Sequence, residues 1–430
     1  MTGDLAITSD PTGASITVDG ESFPNTTPDT LVGVPTGTRE VELKLDAGSS
    51  QIFRWSAEVV VPDEGLGTVD AALQGGCGRD CPFVLERGRV ICRFNNFGDT
   101  CASTFFGGGI PALQWPGVVG GDYGAGGRLL IAAILGSDAG NQAGDTSATQ
   151  AFRQAWIGRQ AVETDVAGLV ETVKLDYWGT ALFLGNSLLG LSVEQTIFAV
   201  DSAGAEDILF IHYKVTNVTG DPRYQALYPG ITGAGYTLEA VFLGFGLDAD
   251  IGTPSDDLGT FDPDLGVGFI YDADFRDSEL GSDADQPALV GVLTVEPPSG
   301  ATERTRTLWR AVDDWDDGTR HDRAWRILAG QLGAGDAISD HPHPDYGFFS
   351  DEPNDYRVTE AHGPLTLAPG ESAGLTVALI FARPVPGTFS PGAQVVPGDP
   401  TSSGRNILAI AADLLSLAAD APALWARYRP

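Results

Sequence analysis

The chain has 430 residues, 42% of them hydrophobic, with 56 glycines and 27 prolines. This composition excludes a disordered chain and predicts a turn-rich globular protein with room for two or three domains. Acidic residues outnumber basic ones by 58 to 25, and the resulting formal charge of −33 argues against a nucleic-acid partner, because it repels phosphate backbones.

The first 73 residues have the pattern of a small β domain. Short runs in which polar and apolar residues alternate are separated by Gly, Pro and Asp; they are Ala14–Val18, Arg39–Leu45 and Ala57–Val61. Alternation with period two is typical of half-buried strands, and the turn residues between the runs favour antiparallel connections. The pattern predicts a small antiparallel β-sandwich over residues 1–73.

Four short motifs in this segment carry a resemblance: Pro11-Thr-Gly-Ala14, Val18-Asp-Gly20, Thr27-Pro28 and Pro35-Thr-Gly37. The glycines permit tight turns and the prolines fix the entries to turns. With these motifs, about residues 2–73 resemble the PEGA-type β domain of bacterial surface proteins and lipoproteins. The resemblance implies an accessory module attached to surface or wall-associated proteins, without catalytic residues.

Four cysteines lie close together at Cys77, Cys81, Cys92 and Cys101. An even number in one segment predicts two disulfides and an oxidising compartment. Of the three pairings available, Cys77–Cys81 with Cys92–Cys101 is favoured, because each closes a local loop. A zinc site and free thiols are the alternatives; the usual CxxC pairs of zinc sites are absent.

Residues 74–430 are predicted to form a large antiparallel β-sandwich domain. The clearest strand is Asp207–Asn217, and others are expected at Ala288–Val295 and Leu375–Phe381. Strands that follow one another without regular helices favour a sandwich over a doubly wound sheet. Helical spacing occurs at Ala148–Gln160 and, more clearly, at about 403–420, where an apolar stripe predicts a C-terminal helix. No run approaches the about 20 apolar residues of a membrane span.

A second set of motifs extends over about Val90 to Arg383. It includes Phe94-Asn-Asn-Phe-Gly98, Asp248-Ala-Asp250-Ile-Gly252 and Leu367-Ala-Pro-Gly370. With these motifs the large domain resembles uncharacterised exported surface proteins of Bacteroidetes and related phyla. This resemblance implies a β architecture and an exported location, at the cell surface or outside the cell.

The stretch Val241–Asp274 is the main candidate for a site. Two apolar runs enclose a segment rich in Asp, Gly, Pro and Ser, which predicts two buried strands joined by a long acidic loop. Calcium prefers six to eight hard oxygen ligands, and DxD spacing supplies carboxylates from one side of a turn. The predicted calcium ligands are Asp248, Asp250, Asp256, Asp257, Asp262 and Asp264. The alternative is that these aspartates form Asx-turns and face solvent.

A second candidate is a sugar-binding patch, because exposed tryptophan beside carboxylates can stack on sugar rings while the acids bind hydroxyls. Its predicted residues are Trp309, Trp315, Asp316, Asp317 and Trp325. The alternative is that these tryptophans belong to the core beside a solvated loop.

Together these features predict a non-catalytic exported cell-surface or extracellular protein with a binding or self-assembly role, whose acidic loops calcium stabilises. Its expected partners are other copies of itself or cell-surface glycans. The alternative function is a secreted hydrolase acting on polysaccharide, which would use the Trp/Asp patch and the histidine-containing loop His341–Asp345.

Overall fold

The computed structural model describes most of the chain, and all structural statements below concern the described residues. They are 2–10, 12–46, 51–63, 65–72, 74–77, 82–85, 88–95, 100–101, 113–117, 120–140, 143–144, 146–150, 160–165, 170–179, 189–222, 225, 233–310, 321–331, 341–343, 347–349, 353–393 and 407–429. The chain divides into two compact units, one comprising Met1–Cys81 with Ile157–Gln160 and the other Pro82–Trp156 with Ala161–Pro430.

The first unit is a sandwich of two small sheets. Its strands are β1 (Thr2–Asp10), β2 (Ser15–Val18), β3 (Glu21–Thr26), β4 (Asp29–Pro35), β5 (Gly37–Asp46), β6 (Gln51–Val61), β7 (Leu66–Ala72) and β8 (Gln74–Cys77). One sheet has the order β4-β1-β7 and the other β3-β2-β5-β6-β8. Buried side chains of both sheets, including Leu5, Ile16 and Val41, share one core. The predicted sandwich is confirmed, although β1 and β7 pair in parallel.

The second unit is also mainly β. Its first strands are β9 (Pro82–Leu85), β10 (Ile91–Asn95), β11 (Leu113–Trp115), β12 (Gly121–Asp122), β13 (Gly124–Leu135), β14 (Thr146–Gln150), β15 (Gln160–Asp165), β16 (Val170–Gly179), β17 (Leu191–Val200), β18 (Ile208–Asn217) and β19 (Leu238–Ala249). Its later strands are β20 (Asp257–Phe261), β21 (Gly268–Asp272), β22 (Leu289–Glu296), β23 (Glu303–Arg310), β24 (His341–His343), β25 (Gly347–Phe349), β26 (Tyr356–Leu367) and β27 (Ser372–Ala382).

The helical elements of the second unit are few. They are α1 (His321–Leu328), α2 (Ile407–Ile410) and α3 (Ala412–Tyr428), with short 3-10 helices at Pro254–Asp256 and Ser278–Asp283. Among these, no helix combines the length and the apolar character that crossing a membrane would require.

Two large sheets face each other across the main core of this unit. One has the order β14-β13-β19-β26-β23, and the other β15-β16-β17-β18-β27-β22-β21-β20-β25-β24. Leu243 and Phe245 of β19 lie in one buried cluster with Ile211 of β18 and Leu379 of β27. A smaller sheet, β12-β11-β10-β9, contributes Trp115 to the same cluster. The predicted antiparallel β-sandwich is therefore confirmed.

Strand β18 shows why the alternation of its sequence predicted the fold so well. Leu209, Ile211 and Tyr213 point into the core between the sheets. Ile208 and Phe210 point to the opposite face of the ten-stranded sheet, where they join a second cluster with the C-terminal helices. Because successive side chains of a strand alternate between faces, one strand serves both layers.

The C-terminal helix ends later in the chain than predicted. Helix α3 continues beyond the predicted end near residue 420, through Pro422, and reaches Tyr428. Its buried face, with Leu414, Ala418 and Trp425, packs against the ten-stranded sheet. Proline removes one backbone hydrogen bond from a helix interior. The buried residues on both sides of Pro422 pack against the sheet, and this packing offsets the loss of that bond.

Two other helical assignments differ from the prediction. Ala148–Gln160 was predicted as a helix, but its described ends belong to strands β14 and β15. Helix α1 was not predicted; its Ile327 and Leu328 cover the outer face of the five-stranded sheet beside Phe242. Its apolar pattern is too short to stand out from the surrounding polar sequence.

Candidate metal centre

The acidic stretch Val241–Asp274 contains a strand that the sequence pattern did not predict. Asp257–Phe261 forms β20, all five of whose residues are buried and which pairs with β21 as a hairpin. The prediction of a single long acidic loop is therefore wrong. Strand β20 escaped prediction because Asp257-Leu-Gly-Thr-Phe261 has only two strongly apolar side chains and begins with a buried acid.

Strand β20 separates the predicted calcium ligands into three places. Asp248 and Asp250 lie at the end of β19 and form the first acidic cluster with Asp355, which immediately precedes β26. Within this cluster Arg357 Nε donates to Asp248 Oδ2 at 2.7 Å. Burial, with the neighbouring carboxylates of Asp248 and Asp355, raises the pKa of Asp250 to about 7.

The second acidic cluster consists of Asp256, Asp272 and Asp277. One carboxylate oxygen from each lies within 4.8 Å of those of the other two. Asp256 ends the 3-10 helix before β20, Asp272 ends β21, and Asp277 caps the 3-10 helix Ser278–Asp283. The cluster thus joins the segment that enters the β20–β21 hairpin to the segment that leaves it.

Backbone hydrogen bonds fix the carboxylates of this cluster. The N–H groups of Asp274 and Arg276 donate to Asp272 Oδ1 at 2.8 and 3.1 Å. The N–H of Glu279 donates to Asp277 Oδ1 at 2.7 Å, and the N–H of Thr253 donates to its other oxygen. These bonds orient the acids before any ion arrives.

Several other carboxylate oxygens in the same place are buried without a hydrogen-bond donor among the described residues. They are Asp256 Oδ1, Asp257 Oδ1, Asp272 Oδ2 and Asp274 Oδ1. Asp257 and Asp272 are each only 1% exposed. A buried oxygen that loses water without gaining a partner costs about 1–3 kcal/mol, so this arrangement favours a cation at the site.

The electrostatics of the cluster agree with that geometry. Burial raises the pKa of Asp272 to about 7, and the nearby carboxylates of Asp256 and Asp274 also raise it. Burial likewise raises the pKa of Asp256, helped by Asp277, and raises the pKa of Asp257 well above its usual range. Acids whose charged forms are this unfavourable take up either a proton or a metal ion.

The remaining predicted ligands, Asp262 and Asp264, lie in the turn between β20 and β21 and belong to neither cluster. Asp262 Oδ1 accepts from the N–H groups of Asp264 and Leu265, at 3.1 and 2.6 Å. Asp262 therefore forms an Asx-turn, as the alternative to a ligand role predicted, but it is buried rather than facing solvent. Asp264 is exposed.

Three members of the clusters were not among the predicted ligands. Asp272 shares a DxD pair with Asp274 and follows an apolar strand, which is the same signal that selected Asp248. Asp277 lies farther beyond the end of β21, so its position in the sequence gives a weaker signal. Asp355 carries no local signal, because the pairing of β19 with β26 brings it near Asp248 from more than 100 residues away.

The predicted sugar-binding residues lie only partly in the described chain. Trp325 is on α1, where its ring meets Phe242 edge-on at 6.2 Å and its Nε1 donates to the carbonyl of Ala240. These contacts place Trp325 against the five-stranded sheet. Trp309 belongs to β23, while Trp315, Asp316 and Asp317 lie outside the described residues.

One of the two favoured disulfides is confirmed. Cys92 of β10 and Cys101 form a disulfide, and both residues are fully buried. Cys77 ends β8, whereas Cys81 lies outside the described residues, so their pairing stays a prediction.

Comparison with known proteins identifies the N-terminal segment. The PEGA domain family matches residues 2–47, which contain all four motifs noted above. The chain carries a PEGA domain. PEGA domains are associated with extracellular or periplasmic proteins. The match covers β1–β5 of the eight strands described in the first unit.

Other comparisons add little about function. No curated protein matches the sequence. A solved structure of a putative aldose 1-epimerase from Escherichia coli K12 aligns over 70% of this chain and 99% of its own, with 10% identity and a TM-score of 0.29. A likeness this weak carries no argument about fold or function.

Proposed function

We propose that this chain is a non-catalytic protein exported to the cell surface or extracellular space, where it binds a ligand or assembles with its own copies. Calcium stabilises its acidic loops. The observation that carries the calcium part is the group of buried aspartate oxygens without a donor near the β20–β21 hairpin, in the described part of the chain. A divalent cation satisfies several such oxygens at once, and hard oxygen ligands favour calcium.

The proposed location is supported by three features. The PEGA domain is of a type associated with extracellular or periplasmic proteins. The Cys92–Cys101 disulfide is typical of proteins in oxidising compartments. The motif similarity to exported surface proteins of Bacteroidetes and related phyla agrees with the same location.

The assembly role is supported by the outer strands of the PEGA-containing unit. Strands β4 and β7 lie at the two edges of a three-stranded sheet. Val32 on β4 and Leu66 on β7 are both exposed large apolar residues. Outer strands with apolar side chains are surfaces on which second copies can pair.

A thermal melt tests the calcium part. The full chain is treated with a chelator, dialysed, and melted with and without millimolar calcium; magnesium and a sodium chloride solution of equal ionic strength are the controls. A ligand that binds only the native state at about 100 times its Kd adds about 2.7 kcal/mol of stability, so we expect the midpoint to rise by several degrees. A rise no larger than in the sodium chloride control would reject calcium binding.

Light scattering tests the assembly part. The mass of the full chain is measured over a range of concentrations, beside the variant Val32→Lys, in which a charge is placed on the outer strand. We expect the wild-type mass to increase with concentration and the variant to stay monomeric. If the wild-type chain stays monomeric at high concentration, the assembly role is rejected and ligand binding remains as the proposed role.

A further inference from the structure

We propose that the calcium ion binds at the second acidic cluster, with Asp256, Asp272 and Asp277 as side-chain ligands, and that the first acidic cluster holds none. The inference rests on the proposed function, because it assigns the proposed ion to one of two groups of carboxylates. It makes the ion a cross-link between the two segments that flank the β20–β21 hairpin.

The spacing of the second acidic cluster suits one ion. One oxygen from each of the three aspartates lies within 4.8 Å of the others. Calcium binds oxygen at about 2.3–2.6 Å, so two ligands on opposite sides of the ion are about 5 Å apart. Magnesium, at about 2.0–2.1 Å, draws its ligands closer and requires stricter octahedral geometry. One ion can therefore contact all three oxygens at once, and the flexible coordination geometry of calcium suits ligands that the protein holds in place.

A second, independent observation is the unsatisfied oxygen of Asp272. Its Oδ1 accepts two backbone N–H groups, which hold the carboxylate in place. Its Oδ2 is buried and has no donor in the part of the chain that the structure describes, although the residue is only 1% exposed. Asp256 Oδ1 and Asp274 Oδ1 are also buried without a donor among the described residues. An ion bound by Asp256 and Asp272 would give a partner to the unsatisfied oxygen of each of these two residues.

The first acidic cluster already contains a cation. The guanidinium of Arg357 lies 2.7 Å from Asp248, and both side chains are largely buried. In contrast, none of Asp256, Asp272 and Asp277 forms an ion pair with a described arginine or lysine. A positive ion therefore gains more by entering the second acidic cluster, where like charges face each other without a counter-ion.

The backbone packs closely against the aspartates of the second acidic cluster. The N–H of Ala273 donates to the carbonyl of Asp256 at 3.0 Å, which ties the two segments together. Gly252 has φ of +79°, and a Cβ there would lie 2.3 Å from the Asp277 carboxylate. The absence of a side chain at Gly252 lets the Asp277 carboxylate approach the backbone of the opposite segment.

Calorimetric titration of calcium into the chelator-treated full chain tests the assignment. The variant Asp272→Asn keeps the oxygen that accepts the two backbone bonds but removes the charge. Its matched control is Asp250→Asn, the same change in the first acidic cluster. We expect Asp272→Asn to weaken calcium binding at least about tenfold, while Asp250→Asn changes it less than about twofold. Circular dichroism in chelator checks that each variant is folded, and Asp256→Asn replaces Asp272→Asn if the latter fails to fold.

The outcomes separate this inference from the proposed function. If Asp250→Asn weakens calcium binding and Asp272→Asn does not, the ion lies in the first acidic cluster; this inference is then wrong while the proposed function stands. The same conclusion follows if neither variant changes a clear wild-type signal. If the wild-type chain shows no calcium binding at all, both the proposed calcium role and this inference fall together.

Discussion

Replacing Gly252 by alanine gives a direct test of how the second acidic cluster is built. Gly252 has φ of +79°, where residues with a Cβ are strained, and the added Cβ would lie 2.3 Å from both Cγ and Oδ2 of Asp277. The Asp277 carboxylate cannot move away without losing its bonds to the N–H groups of Thr253 and Glu279. The variant therefore combines backbone strain with a steric overlap.

The size of the effect follows from these two parts. A left-handed backbone costs a residue with a Cβ about 1–2 kcal/mol. Forcing extra atoms into a packed site costs about 1–3 kcal/mol more. Gly252→Ala should therefore lower the free energy of unfolding by about 2–5 kcal/mol. Gly370→Ala is the matched control, because Gly370 has φ of +86° but a Cβ there meets no atom within 4 Å.

Urea denaturation in the presence of chelator measures both variants, so that calcium binding does not contribute. Gly370→Ala should lose only the backbone part, about 1–2 kcal/mol, and Gly252→Ala should be less stable than it by about 1–3 kcal/mol. Equal losses in the two variants would refute the close approach of Asp277 to residue 252, and with it the geometry described for the second acidic cluster.

Three further predictions concern other parts of the large unit. Replacing Cys92 and Cys101 together by serine opens a loop of about ten residues and should lower stability by about 2–3 kcal/mol, matched by reductant-treated wild type in a thermal melt. The pKa of Asp250 is raised to about 7 in the native state, whereas its carboxyl titrates near pH 4 in the unfolded state. Between these two pH values the native state binds more protons than the unfolded state, so the free energy of unfolding of the wild type falls as the pH rises. In chelator, Asp250→Asn should thus be more stable than wild type at pH 8, by up to about 4 kcal/mol, and equal to it near pH 4; if Asp250 were solvated, urea denaturation would show the same difference between the two proteins at both pH values. Glu360, 1% exposed, accepts from Arg304 Nε at 2.7 Å, while the Arg304 side chain is 32% exposed and reaches solvent once its partner is removed. Glu360→Ala should therefore cost about 1–3 kcal/mol in urea denaturation, and an unchanged stability would contradict a contribution from this ion pair.

The layered architecture was accessible to sequence reasoning because it depends on local alternation. The run from Leu209 to Val215 alternates clearly, and the structure places it as β18 in the middle of the ten-stranded sheet. Strand β20 was missed because a buried aspartate and a glycine replace the apolar residues that alternation requires. Burial of such polar residues depends on neighbouring strands, which a local pattern does not contain.

The candidate site was predictable in its region but not in its composition. The density of aspartates selected the stretch that contains most of both acidic clusters, and four of the six predicted ligands lie within or beside these clusters. The same spacing occurs at Asp262, where it serves an Asx-turn, so spacing alone does not separate ligands from turn residues. Asp355 joins the first acidic cluster only through the register of β26 on β19.

The pairing of β18 with β27 has a consequence for how the chain reaches this fold. The ladder runs from Ile208↔Ile380 to Thr216↔Ser372, so two central neighbours of the sheet are separated by more than 150 residues of sequence. During synthesis the edge of β18 that pairs with β27 stays unpaired until nearly nine-tenths of these 430 residues have been made. Contacts this distant place the protein among slow-folding topologies, in which an unpaired central strand is exposed to misassociation. Any truncation before residue 372 would leave that edge permanently open.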